Sequence, residues 1–268
     1  MPNGEKILVI DDEQVILTAV SRIASSEGFN VDSDNDATSA LKKLSYKEYS
    51  LIFCDIMMPQ MDGFTFIEEL QKRKIATPVI MITGYSTVEN AVKSLYKGAI
   101  DFVPKPFTFE ELQSSIARGL EYGKLQQRIE EAKLKKNGGI ITYIPCPPKY
   151  FRLGFISWLK LESEGVVIIG ASDLFLEILK EIVKIELMNV DEMLVQGDSI
   201  GSFYTEDDLV HQLLSPVSGR IIERNERLLD DTRLLEKDPY FDGWIYKVIP
   251  ANIEYDMKYL ISCATDRI

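Results

Sequence analysis

The chain has 268 residues, 46% of them hydrophobic, with three cysteines, one histidine and a net charge of −12. This length suggests two ordinary domains, and this composition excludes a disordered chain. The acidic balance argues against general nucleic-acid binding, which needs a basic face; the single His211 excludes two-histidine zinc sites; and no apolar run approaches the ~20 residues that span a bilayer.

The start, MPNGEKILVI, lacks the charged flank, long apolar stretch and small-residue cleavage site of a signal peptide. Cys54, Cys146 and Cys263 are widely spaced and make no metal motif. A reducing, cytoplasmic location is expected, with Cys54 a buried core thiol in an apolar strand run. No Walker A loop and no G-x-S-x-G elbow is present, so those NTPase and hydrolase readings lack support.

The first half alternates short apolar runs with amphipathic segments. Strands are predicted at Ile7–Ile10, Asn30–Ser33, Leu51–Cys54, Pro78–Ile82 and Ala99–Val103. Helices are predicted at Glu13–Glu27, with Val15, Ile16, Ala19 and Ile23 on one face, and at Ala37–Leu44, Phe64–Lys74 and Thr87–Gly98. Thr108 and Glu111 form a capping box for a further helix from Phe109. Five strands alternating with helices predict a doubly wound parallel sheet covered on both sides.

Ligands bind beyond the carboxyl ends of the strands in such sheets. Asp11 and Asp12 follow the first strand, Asp55 the third, Thr83 the fourth and Lys105 the fifth. One Asp after a strand is ordinarily a helix cap or turn residue. The ordered set at four strand ends is a different matter. Its converging carboxylates imply a hard cation, and Mg2+ suits them. A lysine and a threonine hydroxyl nearby can bind phosphoryl oxygens on the third carboxylate.

KILVIDDE, LIFCDIMMPQMDG, VIMITGYS and DFVPKPF together resemble the four signatures of response-regulator receiver domains, over residues 1–122. The resemblance implies a flavodoxin-like receiver with Asp55 as phospho-acceptor. It implies Asp12 as the direct Mg2+ ligand and Asp11 as one acting largely through water, with Asp55 and the backbone carbonyl of Met57. Thr83 would be the switch hydroxyl, Lys105 the phosphoryl-binding lysine before a cis Pro106, and Phe102 the switch aromatic, although Phe102 also suits plain core packing. The phosphoryl group would come from a sensor histidine kinase. No other enzyme activity is expected beyond self-phosphotransfer and autodephosphorylation. Phosphorylation would repack the fourth helix, last strand and last helix, a population shift.

Residues 123–149 read as a helical connector and linker. Tyr122, Leu125, Ile129 and Ala132 repeat as a coiled-coil seam would, and a solvated linker helix suits them equally. Gly119 and Gly123 weaken the helix by ~1 kcal/mol each relative to Ala. Lys133, Lys135 and Lys136 suit its C-terminus, and Gly138-Gly139 stops it. A homodimer through the connector, fourth helix, last strand and last helix is expected. The receiver with its long helix is similar to those of enhancer-binding transcription activators, without their ATPase module.

Beyond Pro145-Cys-Pro-Pro148 the pattern becomes short strands between Gly and Asp turns: Phe155–Leu161, Val166–Ile169, Ile182–Leu187, Ser199–Phe203, Gly219–Arg224 and Gly243–Val248. A short helix capped by Ser172 covers Asp173–Leu179. Residues 150–268 are thus expected to form a mainly β, barrel-like or sandwich domain. Trp158, EGVVIIGASD, SPVSG followed by N-E-x-L, and DPYFDGW resemble the H-protein of the glycine cleavage system. That family carries lipoate on a hairpin lysine. The position falls near Asp208 here, and no lysine lies between Lys184 and Lys237. Lipoylation needs an amine, so no lipoate is expected. His211 reads as an ordinary surface or packing residue, and Glu206-Asp-Asp208 as a solvated turn.

Three functions follow. The first is a response regulator whose phosphorylation switches dimerisation or the binding of an unknown protein partner by a non-lipoylated output module. The second is a regulatory or scaffold protein of glycine cleavage or lipoate metabolism. The third, a DNA-binding transcriptional regulator, lacks a recognition-helix unit and has the wrong overall charge.

Overall fold

The apolar run at the start becomes β1 (Lys6–Ile10), with Ile7 to Ile10 wholly buried. Burial on both faces is what a parallel strand demands, and it explains the unbroken apolar run. The computed structural model describes residues 4–84, 88–134 and 143–267. The chain forms two compact units, each taken by itself below.

The first half of the chain continues through α1 (Gln14–Ser26), β2 (Asn30–Asp34), α2 (Ala37–Lys43), β3 (Leu51–Asp55), α3 (Gly63–Lys72), β4 (Val79–Thr83), α4 (Val88–Lys97), β5 (Asp101–Pro104) and α5 (Phe109–Leu134), of which Ala91–Tyr96 of α4 and Glu131–Leu134 of α5 count with the second unit. The strands pair in parallel, in the order β2-β1-β3-β4-β5. Helix α1 buries Leu17, Val20 and Ala24, one face at helical spacing. Asp36 and Asp62 cap α2 and α3 by accepting from Ser39 N and Thr65 N, each at 2.7 Å. Thr108 and Glu111 exchange the two bonds of a capping box at the head of α5. Thr87, expected in the fourth helix, and Lys135, Lys136, Gly138 and Gly139, expected at the end of the fifth, lie outside the described residues.

Helix α5 departs from expectation in two ways. Gly119 and Gly123 permit close packing: a β-carbon on Gly119 would lie 2.6 Å from Leu51 Cδ1, and one on Gly123 would lie 3.2 Å from Pro78 Cγ. Leu125, whose spacing suited a coiled-coil seam and a solvated linker helix equally, is wholly buried within the chain. The helix is also tied to β5. Buried Asp101 accepts from Ser115 Oγ at 3.0 Å and pairs with the Arg118 guanidinium.

The second unit has β6 (Phe151–Leu153), β7 (Ser157–Leu161), β8 (Val167–Ala171), α6 (Asp173–Ile178), β9 (Ile182–Leu187), β10 (Met193–Leu194), β11 (Ser199–Thr205), β12 (Val210–Leu214), β13 (Gly219–Arg224), α7 (Arg227–Asp230), α8 (Arg233–Lys237), β14 (Trp244–Pro250), α9 (Ile253–Asp256) and β15 (Ile261–Ser262). A seven-stranded antiparallel sheet runs β10-β13-β14-β8-β7-β6-β15, and β12-β11-β9 form a second sheet of three. The mainly β architecture matches expectation. The strand expected at Phe155–Leu161 is present but begins at Ser157, and it pairs in a hairpin with β6, which was not expected.

A small core gathers Cys146, Tyr150, Trp158, Tyr240 and Cys263 around the indole. Trp158 Nε1 donates to Pro239 O at 3.1 Å. Ile144 joins this region: its carbonyl accepts from Tyr240 Oη at 3.2 Å, and its N–H donates to the buried carboxylate of Asp173. The last linker residues therefore belong to the second unit's packing. All three cysteines are buried, and no disulfide occurs among the described residues.

Candidate functional site

Four strand ends bring the expected residues to one edge of the parallel sheet. Asp11 follows β1, Asp55 ends β3, Thr83 ends β4, and Lys105 follows β5. Lys105 Nζ lies 2.8 Å from Asp11 Oδ2 and 2.9 Å from Asp55 Oδ1. The backbone N–H of Lys105 donates to Thr83 O at 2.7 Å, fixing the lysine beside the threonine. The Lys105–Pro106 bond is cis, as the motif implied. Asp11, Asp55 and Thr83 are buried. Phe102 is half-buried against the core between β3 and the neighbouring helices.

The electrostatics follow from this crowding. Burial raises the carboxyls of both Asp11 and Asp55, and Lys105 opposes the shift. Burial disfavours the Lys105 ammonium, but its bonds to Asp11, Asp55 and Glu13 outweigh that and hold its pKa above the usual lysine value. The other Asp55 oxygen accepts from Met57 N at 2.7 Å.

Asp12 is exposed beside this group. No three acidic, Cys or His side chains are already drawn together as a metal site among the described residues. The residues present nevertheless fit a hard cation. Asp11 Oδ2 is buried without a well-aligned hydrogen bond, and Asp55 and Asp12 supply further carboxylates on neighbouring strand ends. Gly84 leaves the approach open, since a β-carbon there would meet only Lys105 Cδ at 3.7 Å.

Sequence reading missed Glu13, whose Oε1 lies 3.1 Å from Lys105 Nζ. The signal was present as a third acid in D-D-E, at the start of the predicted helix Glu13–Glu27.

In the second unit, the expected lysine position falls in the β11–β12 hairpin, as anticipated. Asp208 sits at the turn with φ 62°, and Asp207 accepts from Thr205 Oγ1 at 2.6 Å. His211 is buried in β12, so of the two expectations for it packing holds and surface exposure does not. Sequence reading also missed Gln196 and Asp256. They fix the SPVSG run: Gln196 Nε2 donates to Pro216 O at 3.0 Å, and Ser218 N donates to the buried Asp256 carboxylate at 2.8 Å.

Residues 7–117 match the family model described as response regulator receiver domain, and residues 150–266 match that of glycine cleavage H-protein. Residues 7–117 are thus a receiver domain, followed at residues 150–266 by an H-protein-like domain. A transcriptional regulatory protein ZraR of Klebsiella oxytoca is 34% identical over 127 residues, 47% of this chain and 29% of that protein. A putative response regulator NtrX-like of Rickettsia bellii is 36% identical over 131 residues, 48% of this chain and 27% of that protein. The chain thus spans under a third of these relatives. The solved receiver domain of NtrX from Brucella abortus is 38% identical, covering 43% of this chain and 98% of that chain, with a TM-score of 0.42. Among the described residues no helix is long and apolar enough to cross a membrane.

Proposed function

We propose that the protein is a cytoplasmic response regulator in which Asp55 accepts a phosphoryl group from a partner sensor histidine kinase. The observation that carries this reading is the Asp55 carboxylate 2.9 Å from Lys105, with Asp11 on the same ammonium. Asp11, Asp12, Asp55 and the Met57 carbonyl would hold Mg2+. When bound, that ion neutralises the carboxylates and orients phosphoryl oxygens. Asp55 Oδ1 attacks the phosphorus of the kinase's phosphohistidine, and the P–N bond breaks with its electron pair leaving on the imidazole. Lys105 neutralises charge on the transferred group, and the Met57 N–H holds the other oxygen of the nucleophile. The new group adds roughly −1.5 to −2 charges. The Thr83 hydroxyl turns toward it, and Phe102 follows into the space behind.

The output is a protein contact, through a homodimer of α4, β5 and α5 or through a partner of the H-protein-like domain. No lipoate is carried, because Asp208 offers no amine. Nor is turnover proposed beyond self-phosphotransfer and autodephosphorylation. The match of residues 150–266 to the H-protein family favours a second reading, a regulator or scaffold of glycine cleavage or lipoate metabolism. A DNA-binding role is less favoured, since the net charge is −12.

The test is exposure of the full chain to acetyl phosphate, or to BeF3− with Mg2+, followed by pulldown and mass measurement of the assembly. A change in the wild type and none in Asp55→Asn is expected. An unaltered response in that variant would overturn the acceptor assignment. Intact mass after growth with lipoate separates the second reading, if an adduct forms.

A further inference from the structure

We propose that the open edge of β9, with the groove beside it, is a docking surface for an extended basic segment of a partner protein, which adds to the three-stranded sheet as a further strand. The inference gives a place and a chemistry to the partner contact of the reading above, and it rests on that reading for its part in signalling.

Among the described residues β9 pairs with β11 alone, so its other side is an edge. The chain is fixed at both ends of this edge. Thr232 Oγ1 donates to Ile182 O at 3.2 Å. Just beyond the strand, Met188 N donates to Tyr246 Oη at 2.6 Å, and Met188 O accepts from the Arg224 guanidinium at 3.2 Å. Val183 to Leu187 lie between these anchors, roughly 16 Å of extended chain. A row of backbone groups with no neighbouring strand is a template for another one.

A groove of about 880 Å3 runs along this edge, walled by the end of α6, the junction of α7 and α8, and Ile182 to Ile185. The β9–β11 register skips Val183, and this bulge leaves the residue 59% exposed on the groove. Leu229 of α7, 45% exposed, lines the same groove.

The charges select the occupant. The cations of the groove are already taken: Lys180 lies 3.6 Å from Asp207, Lys184 2.6 Å from Glu186 and Arg233 2.7 Å from Asp231. Glu177, Glu181, Asp230 and Glu236 are exposed on it and enter no ion pair among the described residues. Unbalanced negative charge attracts a basic segment and turns away an acidic one. Main-chain bonds to an edge supply affinity, and the side chains beside it supply specificity. Lysines alternating with aliphatic residues answer both the carboxylates and the apolar Val183 and Leu229.

The experiment adds the peptide acetyl-Lys-Val-Lys-Val-Lys-amide to the unphosphorylated, 15N-labelled full chain at low salt and follows backbone amides by NMR. Shifts should concentrate at Val183–Leu187, and the matching Glu-Val-Glu-Val-Glu peptide should cause none. The lysine peptide with every backbone nitrogen methylated keeps its charge but cannot donate to the edge, and it should bind at least roughly 10-fold more weakly. Glu181→Gln and Asp230→Asn should each weaken binding by roughly 1.5- to 5-fold, as exposed ion pairs do. The inference is overturned if the methylated peptide binds like its parent, if the shifts lie away from β9, or if neither variant changes the affinity. It is also overturned if the same amides move with protein concentration alone, since the occupant is then a second copy. No step uses Asp55, so failure here leaves the acceptor assignment standing, and an unaltered Asp55→Asn response leaves the docking surface standing.

Discussion

The indole of Trp158 lies directly over the α-carbon of Gly170, so that a β-carbon there would come within 2.6 Å of Cζ2. The two residues pair across β7 and β8, and the indole is sealed by Tyr150 and Tyr240. Gly170→Ala should therefore destabilise the second unit by about 1–3 kcal/mol, the cost of overpacking. Both tryptophans, Trp158 and Trp244, lie in that unit. Urea unfolding followed by tryptophan fluorescence isolates its transition, which should move to lower denaturant.

The pair Gly119 and Gly123 separates helix propensity from packing. Alanine favours a helix by about 1 kcal/mol over glycine at either position. At Gly119 the new carbon would strike Leu51 at 2.6 Å and Ile80 at 3.1 Å, so overpacking dominates. At Gly123 it would meet only Pro78 and Ser50, the nearest atom at 3.2 Å. Gly119→Ala should be less stable than Gly123→Ala by ~1–2 kcal/mol. Far-UV circular dichroism of the receiver transition reads the difference.

Arg118 and Asp101 form a buried ion pair between α5 and β5. Arg118→Met leaves the aspartate uncompensated and should cost about 3–5 kcal/mol, whereas adding Asp101→Asn should restore part of it. The tryptophan-detected transition of the second unit should not move, which distinguishes this effect from general damage.

Asp173 gives a pH signature. Burial raises its carboxyl to about 6, against the opposing bond from Ile144 N. A folded-state value above the unfolded one means that the native protein binds the proton more tightly. Asp173 therefore costs nothing below about pH 4, and stability falls as pH rises to about 6, by ~3 kcal/mol at most. Asp173→Asn keeps an oxygen for Ile144 and removes this slope. Its gain over the wild type should grow between pH 4 and 6 and then level off, measured by urea unfolding across pH.

Much of the first unit could be read from the chain, for identifiable reasons. Parallel strands buried on both faces leave unbroken apolar runs, and Asp11, Asp55, Thr83 and Lys105 stand at the ends of those runs. The cap at Thr108 and Glu111 is purely local. What could not be read depends on tertiary contact. Gly119 looks like a weak point in a helix until Leu51 is placed against it. Leu125 fits a seam between molecules until its burial is known. Glu13 resembles any acid in a first turn until β5 brings Lys105 across. In the second unit, β10 and β15 have two residues each, too few for a period of two to show. Asp173 was read as part of a short helix, and its hold on Ile144 depends on residues 29 apart.

That hold changes what kind of object the linker is. Ile144 is gripped through both its N–H and its carbonyl, and Cys146 and Tyr150 are wedged against Trp158. The segment ends as a plug and not as a leash. A second unit excised at Tyr150 would leave behind Cys146 and the Ile144 bonds, exposing one side of its own aromatic cluster to water. A pull on the segment, conversely, would be felt first at Tyr240 and Asp173, in the interior of the fold.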